Sequence, residues 1–324
     1  MAQTPSLSKS ELIDIYKEML LLRRFEERAA NLYQQGQIRG FCHLYIGQEA
    51  VLIGCKAASQ KGDDFITSYR CHAQALACGV SPEAVMSELT GRSTGISRGK
   101  GGSMHMFDPE KGFWGGHGIV GAQVPLGTGL AFAAKYRGED KVCFTFIGDG
   151  AMNQGQVFES LNMAALWDLP VLYVIENNQY GMGTAASRIA AGDLYKRGEP
   201  FSIKGQKVDG QDFFAVHAAV SNAVADIRAG KGPQIIEMDT YRYRGHSMSD
   251  PAKYRTREEV DCVKNERDPI NKVAEYLIKE FKVQQEELDV LDKEIKELVK
   301  ECAEFATSAP EPALSEISTD IMPV

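Results

Sequence analysis

Val142-Cys-Phe-Thr-Phe-Ile-Gly-Asp-Gly-Ala-Met-Asn153 reads as a buried strand that ends in a glycine–aspartate–glycine turn. The apolar run Val142–Ile147 suits a strand covered on both faces. Gln154–Trp167 has helical spacing, and Val171–Ile175 is a second apolar strand that runs into Glu176-Asn177-Asn178. Farther on, Phe213–Arg228 reads as a helix and Gln234–Met238 as a third strand ending in Asp239-Thr240-Tyr241. Strands alternating with helices predict an α/β fold, a mostly parallel sheet flanked by helices. Ligands of such sheets sit beyond the carboxyl ends of the strands, where these three polar loops converge.

The triplet Gly148-Asp149-Gly150 begins like a dinucleotide fingerprint, but Asn153 stands where the third glycine belongs. That reading, an NAD-type oxidoreductase, needs an acid at the end of the next strand, and Glu176 is the candidate. On its own the triplet is a tight strand-to-helix turn. The spacing adds information: 26 residues, 151 to 176, separate Gly150 from Asn177-Asn178. One helix and one strand fit that interval, so the two polar clusters fall on adjacent strand ends. A carboxylate, an amide oxygen and a backbone carbonyl are hard ligands for magnesium, which completes its octahedron with phosphate and water. The helix start near Ala151–Asn153 offers free N–H groups to the same phosphates.

This pattern resembles the thiamine diphosphate signature. Gly99-Lys-Gly-Gly-Ser-Met-His105, Gly118-Ile-Val-Gly-Ala-Gln-Val-Pro-Leu126, Asn162-Met-Ala-Ala-Leu-Trp167, Glu176-Asn-Asn-Gln-Tyr-Gly-Met-Gly183 and Tyr241-Arg-Tyr-Arg-Gly-His-Ser-Met-Ser-Asp-Pro251 resemble the alpha subunits of the pyruvate dehydrogenase component of the pyruvate dehydrogenase complex. The resemblance runs from about Leu20 to Pro269, and Gly40-Phe-Cys-His-Leu-Tyr-Ile-Gly-Gln-Glu49 leans towards pyruvate. Acetoin and branched-chain 2-oxo acid dehydrogenase alpha subunits are near relatives.

The resemblance implies thiamine-diphosphate-dependent oxidative decarboxylation of pyruvate, with reductive acetyl transfer to a lipoyl group. It places Mg2+ on Asp149, Asn178 and the Tyr180 carbonyl. Gly150 and Ala151 would touch the diphosphate, with Tyr69 and Arg70 as further cofactor contacts. Gly118 and Val120 would approach the aminopyrimidine. His43 matches a substrate-side histidine and His246 one by the diphosphate, and these two are the catalytic candidates. His72, His105 and His117 receive no role, and His217 reads as structural. No residue corresponds to the glutamate that activates the aminopyrimidine, which in two-chain relatives belongs to a beta subunit. The implied assembly is therefore an α2β2 heterotetramer. Its further partners are the lipoyl and subunit-binding domains of the dihydrolipoyl acetyltransferase core. A degenerate scaffold subunit is the non-enzymatic alternative. Animal relatives are phosphorylated at serines in the segment matching Ser247–Tyr254. Here Ser247 is present but Lys253 occupies the region of a second such serine, and no such regulation is expected.

Composition agrees with a globular enzyme. The 324 residues carry a formal charge of −8, which argues against nucleic-acid binding. Gly112–Ala134 is uncharged but holds seven glycines, so it reads as a loop entering a helix rather than a membrane span. Met1–Glu11 lacks the sections of a signal peptide, and seven cysteines without a CxxC pair fit a reducing cytoplasm. Missing transit features point to a bacterial cytoplasm, with a processed mitochondrial chain as the alternative. Cys42-His43 and Cys71-His72 are neighbours in sequence, which rarely gives a nucleophile–base geometry. Gly95–Ser103 does not meet the Walker pattern.

By segment, residues 1–40 read as an N-terminal helical extension, opened by a Ser8–Glu11 capping box. Residues 41–260 read as the thiamine-diphosphate-binding α/β domain, and 261–324 as a C-terminal helical region with an extended tail from Ala309. Gly91–Gly121 is expected to be irregular. Arg242–Arg257 carries Arg242, Arg244, His246, Arg255 and Arg257. It reads either as a solvated basic loop or as a cofactor loop that is mobile without cofactor and ordered with it.

Overall fold

Successive residues of a strand point to opposite faces, and here both faces are apolar. Phe144, Phe146, Leu172, Val174, Ile236 and Met238 join one core cluster, while Cys143, Ile147, Val171, Tyr173, Ile175 and Ile235 join another. Such strands need helices on both sides, and the chain supplies them.

The computed structural model describes residues 7–321. In chain order the elements are α1 (Lys9–Gln34), α2 (Glu49–Ala58), β1 (Asp64–Ser68), α3 (His72–Ala77), α4 (Pro82–Leu89), β2 (Phe113–His117), α5 (Gln123–Arg137), β3 (Cys143–Gly148), α6 (Gly155–Leu166) and β4 (Val171–Asn177). A small hairpin, β5 (Tyr180–Gly181) and β6 (Thr184–Ala185), follows with the single turn α7 (Ala186–Ile189). Then come β7 (Lys204–Asp209), α8 (Phe213–Arg228), β8 (Gln234–Asp239), α9 (Arg257–Arg267), α10 (Pro269–Phe281) and α11 (Gln285–Ser308).

Six parallel strands form one sheet in the order β2-β1-β3-β4-β8-β7. Register pairs Gly148 with Glu176 and Asn177 with Asp239, so the ends of β3, β4 and β8 lie side by side. From β1 the chain passes to β2 on one side and then returns to β3 on the other. The crevice at that reversal is where an open parallel sheet takes its ligand. Residues of α5 and α6 cover one face, and those of α1, α2 and α8 share the core on the other. Gly127 lets α5 approach closely, because a Cβ there would stand 2.1 Å from the Thr145 hydroxyl.

Three strands escape a sequence reading. β7 is a largely exposed polar edge strand without an apolar run. β2 is Phe-Trp-Gly-Gly-His inside the glycine-rich stretch expected to be irregular. β1 is only five residues long, and its pairing with β2 is interrupted by a register shift between Phe65 and Thr67. The expected extended tail is partly wound: Leu314–Ser318 form a 3-10 turn, while residues 322–324 lie outside the described region. The tail's Glu316 and Asp320 pair with Arg98 and Lys100. Among the described residues no helix is long and apolar enough to cross a membrane.

The capping box closes α1, with the Ser8 N–H donating to Glu11 at 2.8 Å. Arg23 of α1 donates to Glu49 of α2 at 2.6 Å and to Asp268 at 3.0 Å, while Asp268 also caps α10. Removing one partner of a buried ion pair strands the other charge. Glu49→Ala should therefore cost about 3 kcal/mol, read as a lower thermal unfolding midpoint. Glu297→Ala, which breaks the exposed pair with Lys300, should cost less than about 1 kcal/mol. Equal midpoints for the two variants would refute this.

Candidate active site

Asp149 follows the last residue of β3 and leads through a 3-10 turn, Gly150–Asn153, into α6. Asn178 follows β4, and its amide is fixed by a bond from Nδ2 to Gln48 at 3.0 Å. The next residues are wound tightly: Gln179 and Met182 have φ of 75° and 54°. Non-glycine residues in that region are strained and collect at functional sites. Gly150 meets this segment closely, since a Cβ on it would lie 3.3 Å from the Gly181 Cα.

Arg242, just beyond β8, holds the segment in place. Its side chain is 1% exposed, and its five N–H groups each find one oxygen. Nη1 donates to Asn178 Oδ1 at 2.8 Å and to the Tyr180 carbonyl at 2.9 Å. Nη2 donates to the Met182 carbonyl and the Tyr254 hydroxyl, and Nε to the Arg244 carbonyl. Every acceptor is neutral. Arg70, 5% exposed, likewise donates only to the Leu44 and His246 carbonyls. Burial and the nearby Arg242 charge push its guanidinium down to about 10. Buried cations without a carboxylate partner are costly.

Across the same cleft Asp149 Oδ2 is buried with no hydrogen-bond partner. Burial pushes its carboxyl up to about 6. The cleft, about 260 Å³, is lined by Tyr69, Arg70, Val120, Asp149, Gly150, Ala151, Asn178, Tyr180, Arg242 and His246. Among the described residues no three His, Cys, Asp or Glu side chains converge as a metal cage. A cation here would draw on Asp149, neutral oxygens and the oxygens of its anionic partner. Two unpaired guanidiniums facing one unpartnered carboxylate oxygen fit a polyanion carried with a divalent cation.

A second, more apolar cleft of about 600 Å³ adjoins the first and shares Tyr69, Val120, Met182 and His246 with it. His43, Gly118, Phe41 and Met104 line it. The His43 ring lies 4.5 Å from Tyr69 and 5.1 Å from His246, centroid to centroid. Burial and then Arg70 pull His43 down to about 2 and His246 down to about 4. Both imidazoles are neutral near pH 7, and His43 Nδ1 is buried without a partner.

The residues singled out from the sequence thus divide between two communicating clefts, with Tyr69, Val120 and His246 on the seam. Glu176, the acid that the dinucleotide alternative requires, is buried and accepts from the Tyr45 hydroxyl. Of the two readings of Arg242–Arg257, the solvated basic loop does not hold, since Arg242 is among the most deeply buried side chains. The sequence named Arg242 only among the basic residues of the Arg242–Arg257 loop and gave it no site role of its own. Burial pushes the thiols of Cys42 and Cys71 up to about 12, which rules them out as nucleophiles at neutral pH. His217 is buried against Phe213, as a structural histidine should be.

An α/β enzyme with its cofactor cleft at the carboxyl ends of a parallel sheet is the class defined by fold and site. The chain belongs to the dehydrogenase E1 component family, whose model matches residues 17–315. It is 58% identical to the pyruvate dehydrogenase E1 component subunit alpha of Rhizobium meliloti (strain 1021), over 97% of this chain and 91% of that protein. The Zymomonas mobilis protein of the same name is 55% identical, over 97% and 89%. The mitochondrial type I subunit alpha of Ascaris suum is 52% identical, over 97% and 79%.

The Asp149 carboxyl, raised from 3.8 to about 6, holds its proton more tightly folded than unfolded. Its ionisation therefore costs stability progressively as pH rises from about 4 to 6, and the full cost stands above that range. Asp149→Asn should stabilise the cofactor-free protein at pH 7 by roughly 3 kcal/mol while weakening cofactor binding severely. In the unmutated protein that binding should strengthen up to about pH 6 and then level off. Thermal melts with and without cofactor test both. A cofactor-free Asn variant that melts below the parent would overturn the assignment.

Proposed function

We propose that this chain is the magnesium–diphosphate half of a thiamine-diphosphate enzyme that oxidatively decarboxylates pyruvate and passes the acetyl group to a lipoyl group. The observation that carries this reading is the pair of buried, carboxylate-free guanidiniums, Arg70 and Arg242, facing the unpartnered Asp149 oxygen. A diphosphate–Mg2+ unit supplies the missing negative charge to the arginines and the missing cation to Asp149.

In this reading Asp149, Asn178 Oδ1 and the Tyr180 carbonyl hold Mg2+. Arg70, Gly150, Ala151 and His246 hold the diphosphate, with Tyr69 beside it. Gly118 and Val120 support the aminopyrimidine end. Thiamine diphosphate, when bound, supplies the carbon nucleophile and electron sink. The chain's own groups then bind and orient. His43, neutral and with an unpartnered Nδ1, donates a hydrogen bond to the 2-oxo acid, whose oxygens only accept. Phe41 and Met104 make the adjoining wall apolar and limit water.

Beside this site the outer surface of α5 and α6 is unusually apolar. Phe132 and Trp167, with ring centroids 5.3 Å apart, border a groove of about 280 Å³, and Leu126, Tyr136, Met163 and Leu166 are exposed around it. Contiguous apolar surface of this kind marks an interface. We place the beta subunit there, in an α2β2 heterotetramer, with the lipoyl and subunit-binding domains of the acetyltransferase core as further partners. Relatives from bacteria support a bacterial cytoplasmic setting.

The test is reconstitution. Alone, the chain should not turn over pyruvate. With a beta subunit, thiamine diphosphate and Mg2+ it should reduce an artificial acceptor. Arg70→Met should weaken cofactor binding at least tenfold, equivalent to about 1.4 kcal/mol. Full turnover by the isolated chain would sink the proposal. A preference for acetoin or a branched 2-oxo acid over pyruvate would redirect it to those relatives.

A further inference from the structure

His43 sits in a segment, residues 42–46, that has no helical or strand partner of its own. Its backbone is instead held from outside on alternate groups. The carbonyls of Cys42, Leu44 and Ile46 accept from the Met248 N–H, Arg70 and the Tyr243 N–H. The amides of His43 and Tyr45 donate to Ser103 Oγ at 3.4 Å and Glu26 Oε1 at 2.9 Å. Ser103 and Glu26 come from distant parts of the chain, the glycine-rich loop and α1.

One residue joins them. His72, fully buried at the start of α3, contacts Glu26 Oε2 through Nδ1 at 2.9 Å and Ser103 Oγ through Nε2 at 2.7 Å. The donor directions follow from chemistry. A backbone amide can only donate, so Ser103 Oγ accepts from His43; the Glu26 carboxylate can only accept, which puts the hydrogen of a neutral His72 on Nδ1 and leaves Nε2 to accept from the Ser103 hydroxyl. His72 Nδ1–H then donates to Glu26, whose other oxygen receives the Tyr45 amide. The chain of bonds runs His43 N–H, Ser103 O–H, His72, Glu26 and back to the Tyr45 N–H. It closes a loop around Leu44, whose carbonyl is taken by Arg70. None of Glu26, His72 and Ser103 lines either cleft.

We infer that Glu26, His72 and Ser103 form a buried relay of positioning residues that fixes the His43 segment against the substrate cleft. This rests on the reading of His43 as a substrate-side group. The relay moves no proton to the His43 ring, because it ends on the backbone amide. Its contribution is geometric, holding a neutral imidazole at one distance from Tyr69 and His246. It also ties α1, remote from both clefts, to the site. A fully satisfied buried network specifies one arrangement, and a partly satisfied one does not.

The experiment uses the reconstituted tetramer with thiamine diphosphate and Mg2+. Ser103→Ala and His72→Gln should each lower kcat/KM for pyruvate about tenfold, as a small displacement of a reacting group does. Cofactor affinity should stay within about twofold of the parent. The double variant should be no worse than the worse single one, because either change opens the same loop. Ser103→Thr keeps the hydroxyl and should retain activity. Hydrogen exchange of the peptide spanning residues 42–46 should accelerate in Ser103→Ala and His72→Gln but not in Ser103→Thr. Unchanged exchange, or kcat/KM within about twofold in both, would overturn the relay. His43→Ala separates the two ideas. If it leaves kcat/KM unaltered, the substrate-side reading of His43 fails, and the exchange data still decide the relay. If Ser103→Ala does not assemble, His72→Gln and Ser103→Thr carry the test.

Discussion

Two guanidinium groups lie buried in this protein with hydrogen bonds only to neutral oxygens, and one buried carboxylate oxygen in the same cleft has no partner. Removing such charges from water costs several kcal/mol each unless an opposite charge arrives. The fold accepts that cost at one place, the crevice where the order of the parallel strands reverses. Much of the surrounding design follows. Gln179 and Met182 take left-handed backbone conformations, and Arg242 pins the 178–182 segment, presenting the Asn178 and Tyr180 oxygens together.

The same positive field sets the chemistry next door. Arg70 contributes to lowering both His43 and His246, after burial itself. The two histidines of the more apolar cleft are therefore neutral hydrogen-bonding groups, not charged acids. The two clefts are thus electrostatically coupled as well as spatially continuous. The apolar flank on α5 and α6 adds a third element, since an incomplete site and an uncovered surface on the same chain both call for a second subunit.

The architecture was legible where local physics is strong. Val142–Ile147 and Val171–Ile175 are apolar runs long enough to declare buried strands, and Ser8, Ser81 and Asp212 each cap a helix with their side chains. The Ser8–Glu11 capping box and the bounds of Phe213–Arg228 were readable without coordinates. Strands β1, β2 and β7 were not, because a short strand, a glycine-rich strand and an exposed polar edge strand carry no distinctive period. They exist because a neighbouring strand offers them hydrogen bonds, which is a tertiary fact.

For the site, the order of residues along the chain determined the chemical inventory: an acid after one strand, paired asparagines after the next, and glycines where backbone must approach a ligand. Spacing brought Asp149 and Asn178 to neighbouring strand ends, because one helix and one strand fit between them. Only the tertiary structure decided the charge balance. Whether Arg242 is solvated or buried, whether Glu176 is free or bonded to Tyr45, and whether His72 touches Glu26 depend on segments dozens to more than a hundred residues apart. Burial and partnership are properties of the packed chain, so the sequence names the groups while the fold sets their protonation, their partners and their roles.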